Sequence, residues 1–264
     1  MVSLRVVATL VMFVLLVASR GAEPAAARPP PFRPGERLTY SLSWGVFNVG
    51  GVSFEVKEND QVNGQDAFHF VMEAQTNTFA DAIYKVRDRI ESWAATDMSR
   101  SLHYIQKQNE GSTHKDLVVT FDWDKKQAQE SNFGRARDPI AVAPTAFDPL
   151  AVFYLFRTLD LTGKTEVKAY VSDGKKHEEG VVRIVKREEI ELNDKKYQAI
   201  LVEPDMQKVG GVFKKNKDAK LQLWFSDDAR RIPLRITSKV AVGSFTAELV
   251  SDIPGGEPAA AAAP

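Results

Sequence analysis

The sequence predicts a mainly β protein: a large curved antiparallel sheet or open barrel of about a dozen strands, with one buried helix at about residues 148–160. Three observations carry this. Short runs in which apolar and polar residues alternate recur along the chain, separated by turn residues. No long alternation of strands with helices appears, so a doubly wound parallel sheet is disfavoured. One segment, FDPLAVFYLFRTL, is apolar on nearly every face, as a helix buried on all sides must be.

The opening stretch LTYSLSWGVFNVGGVSFEV predicts strands Leu38 to Trp44 and Gly51 to Lys57, interrupted by a Gly-Gly pair. Alternation puts Tyr40, Leu42 and Trp44 on one face and returns Val52, Phe54 and Val56. That face is either an ordinary core or the wall of an apolar pocket. Ala67 to Thr76 follows, then Val86 to Ala94, Leu102 to Gln108, Lys115 to Trp123 and Lys126 to Ser131. After the middle come Thr165 to Val171, Gly180 to Leu192, Lys196 to Glu203, Leu221 to Phe225, Ile232 to Val240 and Ser244 to Ser251. The helix starts at Asp148, a good N-cap, with Pro149 at the first helical position, where its missing N–H costs nothing. It reads as a plug on the concave face of the sheet. A shorter helical turn is predicted at Thr78 to Tyr84.

The ends are of different character. Residues 1–21 have the pattern of a signal peptide: Arg5, an apolar run from Val6 to Ala18, then small residues, with cleavage expected after Gly21. Residues 22–34 form an Ala/Pro-rich linker, and 254–264 a tail of similar composition, expected to be disordered. A single β-rich domain is expected over 35–253. No Cys follows the apolar run, so no thiol is available for lipid attachment, and no stable membrane anchor is expected after cleavage. Without Cys the fold has no disulfides and must be held by its core. Removing Arg5 and Arg20 leaves 33 bases against 35 acids, a balance that gives no electrostatic reason to expect nucleic acid as a partner. These features suit a bacterial periplasmic protein.

Catalytic signatures are missing. No Ser sits in a Gly-x-Ser-x-Gly elbow. Gly163-Lys164-Thr165 resembles the end of a phosphate loop, but Thr158 stands where the first Gly belongs. His69, His103, His114 and His177 do not fall at metal-ligand spacing, so neither a metal nor a cofactor is expected. Asp122-Trp123-Asp124 and Asp227-Asp228 sit where strands end, where Asp favours turns. The segment KVRDRIESW, from Lys85, puts charge on both faces of one strand. Its structural reading is an Arg–Asp–Glu network or a sheet edge guarded by charge. Its functional reading is a polar pocket mouth that holds an anionic head group through Arg87 or Arg89.

Four segments taken in order, PGERLTYSLSWGVFNVGGVSFEV, YKVRDRIESW, FDPLAVFYLFR and LWFSDDARRIPLRITSKVAVGSFTAEL, resemble a family of exported bacterial proteins, the domain-of-unknown-function family numbered 3108. The resemblance spans about Pro34 to Leu249. It implies a periplasmic envelope protein of a Gram-negative-type bacterium, mostly β with a curved antiparallel sheet, and supplies no activity and no catalytic residues. LWFSDDARRIPLRI is also similar, more weakly, to the strand-turn-strand of periplasmic lipoprotein carriers, which implies only a kindred architecture.

The expectation is therefore a non-enzymatic binding protein for a lipid or other apolar small molecule, with Tyr40, Trp44, Phe54, Phe70, Arg87, Arg89 and Trp93 as the ligand-binding set. The alternative is an assembly module that binds an envelope protein or cell-wall glycan, to which the basic run Lys214-Lys215-Asn216-Lys217 would contribute. A hydrolase working through the acidic pairs is disfavoured, because no nucleophile and base can be placed.

Overall fold

The computed structural model describes residues 29–205, 220–240 and 243–256. The signal-peptide pattern, the basic run at 214–217 and most of the C-terminal tail lie outside the described residues. The strands are β1 (Arg37–Trp44), β2 (Phe47–Val56), β3 (Asp60–Val62), β4 (Gln65–Thr76), β5 (Arg87–Ala95), β6 (Ser101–Glu110), β7 (Thr113–Asp122), β8 (Gln127–Asn132) and β9 (Arg135–Ala136). They continue as β10 (Ile140–Ala141), β11 (Ala146–Phe147), β12 (Glu166–Ser172), β13 (His177–Leu192), β14 (Lys195–Pro204), β15 (Lys220–Ser226), β16 (Pro233–Val240) and β17 (Gly243–Ile253). Helix α1 (Thr78–Asp81) joins β4 to β5, and helix α2 (Ala151–Thr158) precedes β12.

The long strands form one antiparallel series, β8-β7-β6-β5-β4-β2-β1, which β17 continues on the far side of β1 and which then runs back through β16, β15, β14, β13 and β12. The first and last strands of the chain thus meet mid-sheet, with Tyr40 opposite Leu249 and Trp44 opposite Phe245. The end strands β8 and β12 make no ladder with each other among the described residues, so the sheet is curled and open. A strap spans the seam. Ile140–Ala141 pairs with β8, the Ala143 amide donates to His177 Nε2, and Ala146–Phe147 runs parallel to β12. That strap pairing is parallel in an otherwise antiparallel sheet.

The opening hairpin differs from its sequence reading. The turn lies at Gly45-Val46, and Gly50-Gly51 sits inside β2. A register shift between Leu42 and Ser43 leaves Val49 as the extra residue of a bulge. Gly50 has φ 153°, and a Cβ there would come 2.1 Å from the Gln75 carbonyl oxygen. The glycine is thus required by the close approach of β4, and not by a change of chain direction.

The alternation faces inward as the pattern predicts: Leu38, Tyr40 and Leu42, Val52, Phe54 and Val56, and Phe68, Phe70 and Met72 are all buried. Helix α2 fills the concave side. Phe153 stacks on Phe54 with ring centroids 4.8 Å apart, Tyr154 on Phe70 at 3.8 Å, and Phe156 packs on Phe225 at 4.5 Å. Helix α2 starts at Ala151 with Leu150 at its N-cap, so Asp148 and Pro149 stand ahead of the helix and do not open it as the sequence predicts; the sheet's Ser92 and Ser101 hold Asp148 there. Its Oδ1 accepts from the Leu150 and Ala151 amides, and its Oδ2 from the Ser92 and Ser101 hydroxyls. Burial pushes this carboxyl up, and those four donors oppose the push.

The other end of α2 is held by charge. Arg157 donates Nη1 to Glu36 Oε1 at 2.6 Å and Nη2 to Glu36 Oε2 at 3.0 Å, with both residues buried. Its Nε and Nη2 also donate to the Arg230 carbonyl. Arg230 in turn reaches Glu36 and makes a two-pronged contact with Asp252. Phe32, inside the segment expected to be a solvated linker, is only 3 % exposed and packs edge-on against Phe68, Phe70 and Tyr154. The folded unit therefore starts before Gly35, because a ring there covers the helix and the Arg157 guanidinium 5.2 Å away.

Removing one partner of such a pair strands a buried charge. Arg157→Ala is expected to cost about 3–5 kcal/mol, read as a fall in the urea midpoint. Arg157→Met combined with Glu36→Leu should recover most of that loss. An unchanged midpoint for Arg157→Ala would show that the pair does not anchor the helix.

Candidate functional site

Among the described residues, α2 is flanked on the concave side by a small crevice. It is lined by Phe54, Met72, Ile90, Tyr104, Pro149, Leu150 and Phe153, with space for about one water molecule. Pockets that take small organic ligands are usually about 300–1,000 Å³. The Tyr104 hydroxyl is buried without a hydrogen-bond partner among the described residues.

Toward the end of the sheet where α1 lies, the inward face turns polar. Asp88, Gln106, Gln108 and Glu110 are all buried there. Asp88 Oδ1 accepts from the Asn109 amide at 2.7 Å, and Gln106 Nε2 donates to Gln108 Oε1. Burial pushes the Asp88 carboxyl up to about 7, against the pull of the Asn109 amide, and the neighbouring Glu110 adds to the rise. A carboxyl so tuned can exchange a proton near neutral pH. Among the described residues no cluster of His, Cys, Asp and Glu is arranged to hold a metal.

The residues singled out from sequence fall into two groups on opposite faces. Tyr40, Phe54 and Phe70 come together under α2. Tyr40 stands edge-on to Phe54 and donates its hydroxyl to the Pro233 carbonyl at 2.7 Å. Trp44, at the end of β1, is partly buried and stacks on Phe245. Arg87, Arg89 and Trp93 lie on the outer face of β5, while Val86, Asp88, Ile90 and Ser92 turn inward and are buried. The outer charges form the network that alternation suggested. Arg87 grips Asp81 with both Nη atoms, and Arg89 bridges Glu73 and Glu91. His69 pairs with Glu91 at 2.9 Å and stacks 4.3 Å from Trp93. His103 flanks Trp93 on the next strand, and Trp93 Nε1 donates to Asp60. Both faces of the Trp93 ring are thus approached by the protein's own side chains.

A third feature was missed from sequence. Val46 is 91 % exposed, Phe47 and Phe79 59 % each and Ile83 66 %. They sit on the β1–β2 turn and in the α1 connection, where the Phe47 and Phe79 rings are 6.3 Å apart. Phe133, equally exposed, tops the β8–β9 turn at the same end of the sheet. The available signal was the turn chemistry: Phe133-Gly134 places an apolar side chain where a type I′ hairpin ordinarily carries Asn or Asp, and Gly45-Val46 is a Gly-X turn with an apolar second residue.

The family model described as "Protein of unknown function (DUF3108)" matches residues 39–250, which include the sheet from β1 to β17 and helix α2. The chain belongs to the DUF3108 family. No curated protein matches it in sequence. Among solved structures, the chain is similar to a β-barrel-like protein of the DUF1849 domain from Brucella abortus, with 9 % identity and a TM-score of 0.51 over 83 % of this chain and 97 % of that one. That likeness concerns the fold. A presumed lipoprotein from Parabacteroides distasonis matches at 10 % identity and TM-score 0.37 over 84 % of this chain and 98 % of that one. A presumed exported protein with a YmcC-like fold from Bacteroides fragilis matches at 8 % identity and TM-score 0.36, over 84 % of this chain and 97 % of that one.

Asp88 makes a pH prediction. Its carboxyl keeps a proton up to about 7 in the folded chain but loses it near 3.8 when free. Between these values the folded state binds more protons, so this group's contribution to stability falls as pH rises. Asp88→Asn keeps an acceptor for the Asn109 amide and removes the titration. Relative to wild type, the variant should gain urea resistance above about pH 7 and show no such gain below 3.8. A difference that does not vary with pH would refute the assignment.

Proposed function

We propose that this DUF3108 protein is an exported, non-catalytic module of the bacterial envelope that works by docking through its outer surface, with the curled sheet and its helix serving as a structural core. One observation carries the reading: the concave side is occupied by the chain's own helix, with Phe153, Tyr154 and Phe156 stacked on Phe54, Phe70 and Phe225. A closed core beside an exposed apolar patch is the pattern of a protein that acts through its surface. Export is supported by the N-terminal signal pattern and by the resemblance noted from sequence.

A second reading keeps a lipid-like ligand inside the sheet, with Tyr40, Phe54 and Phe70 as its wall. It is favoured by the apolar lining of the crevice between Phe54 and Phe153. It also draws on the polar latches, Asp148 at one end of α2 and Arg157 at the other, since such contacts can exchange for water when a helix lifts. This reading requires α2 to leave the sheet. Arg87, Arg89 and Trp93 lie on the opposite face from those rings, so a ligand inside the sheet would not touch both groups.

Native mass spectrometry of mature protein purified from the periplasm, followed by organic extraction, separates the two. The docking reading expects the mass of the bare chain and no extracted lipid. A stoichiometric lipid, lost in a folded Phe70→Glu variant, would overturn it in favour of the ligand reading.

A further inference from the structure

Of the eight large apolar side chains that stand exposed among the described residues, five crowd one end of the sheet: Val46, Phe47, Phe79, Ile83 and Phe133. In an antiparallel series every second turn falls at the same end, so the β1–β2, β4–β5 and β8–β9 connections project together. Folding does not account for them. Phe133 has φ 49° and Gly134 φ 73°, the geometry of a two-residue type I′ turn. A bulky side chain is disfavoured in that conformation. Phe133 is 59 % exposed, so little burial offsets the strain. The same chain builds other turns of this geometry from suitable residues: Asn63-Gly64, with φ 53° and 78°, and Asn193-Asp194, with φ 49° and 61°. Residues that fold the protein well are thus used elsewhere, while this end carries apolar side chains that the folded chain leaves free.

We propose that this apolar rim docks the protein on a lipid bilayer surface, with Phe47, Phe79, Ile83 and Phe133 entering the headgroup region; the inference rests on the surface-docking reading above. Two geometric facts favour a bilayer. First, the side chains project from the tips of turns, so the patch is convex, and a fluid surface conforms to a convex patch without a matching pocket. Second, Phe133 stands apart from the others around the rim, five ladders along the sheet from β2, yet at the same end. A broad, flat partner can engage both groups at once.

The polar groups between the tips suit this contact. Asn77 donates to the Asn48 carbonyl and side-chain oxygen, and Asp81 is neutralised by Arg87. Exposed Lys85 and Arg135 each stand two residues beyond an apolar tip, against exposed Asp116 on the strand beside Phe133. Exposed Lys175, Lys176, Lys220 and Lys239 lie at the same end of the sheet, so basic charge accompanies the apolar tips.

The test is flotation of the mature full-length protein with vesicles of phosphatidylethanolamine and phosphatidylglycerol. Wild type should float with the vesicles. Phe47→Ser with Phe79→Ser should weaken partitioning on the order of tenfold per ring. Phe133→Asn should also weaken it while holding or raising the urea midpoint, because Asn suits the turn. A wild type that stays at the bottom of the gradient, or variants that float as it does, would overturn the proposal. So would self-association in lipid-free buffer that the Ser variants abolish, which would make the occupant a second copy. A protein that ignores vesicles but is cross-linked in cells to a protein partner through position 47 would remove the bilayer and leave the docking reading standing.

Discussion

The contact between Arg157 and Glu36 ties together parts of the chain that the sheet alone leaves separate. Glu36 belongs to the segment entering the first strand, Arg157 to the buried helix, and Arg230 to the turn before β16. Asp252, which Arg230 grips, lies near the end of the last strand. Two carboxylates and two guanidiniums thus fasten both ends of the described chain to the plug inside the curl. A buried pair of this kind is a poor source of net stability compared with apolar residues of equal size. What it supplies is position. A guanidinium gripped on two prongs has one acceptable orientation, and the helix that carries it is fixed with it.

Given a fixed helix, the packing of the concave side follows. Asp148 sets the first turn and Arg157 the last, and the aromatic side chains between them meet inward-facing residues of β2, β4 and β15. An open sheet of this size has two unpaired edges, each a template for another strand. Here both edges are met by one strap, Ile140–Ala141 on β8 and Ala146–Phe147 on β12, immediately before the helix. The connection that closes the seam therefore also delivers the plug. In IAVAPTA only Val142 and Ala146 are buried, while Ala141, Pro144 and Thr145 face solvent, so the strap lies along the surface of the seam.

The long strands and the helix were legible because their burial is periodic. Every inward residue of KVRDRIESW could be assigned by alternation, including the buried Asp88. That Asp148 meets the start of the helix was legible because its chemistry is local, although the helix itself begins at Ala151. Long-range features were not. Nothing near Glu36 names Arg157 as its partner, 121 positions away. The Gly-Gly pair was misread because a glycine required by a neighbouring strand looks the same as one required by a turn. The candidate site divided along the same line. Alternation separated Arg89 and Trp93 from Phe54 and Phe70, but it could not say that a helix covers the latter. The exposed rim was hidden because Phe47 and Phe79 look like ordinary strand and helix residues until the turns beside them are placed.

The pairing of β1 with β17 in the middle of the sheet sets an order of events. Neither half of the sheet is complete without the other, and the ladder that joins them uses the first and last strands made. Closing it spans almost the whole described chain, the kind of contact that slows folding. Until Gly243–Ile253 is available, β1 has only one neighbour, β2, and its other edge stays open. Glu36 likewise lacks the support of Arg230 and Asp252. A chain delivered from its N-terminus therefore cannot close the ladder between its two halves until Gly243–Ile253 has emerged.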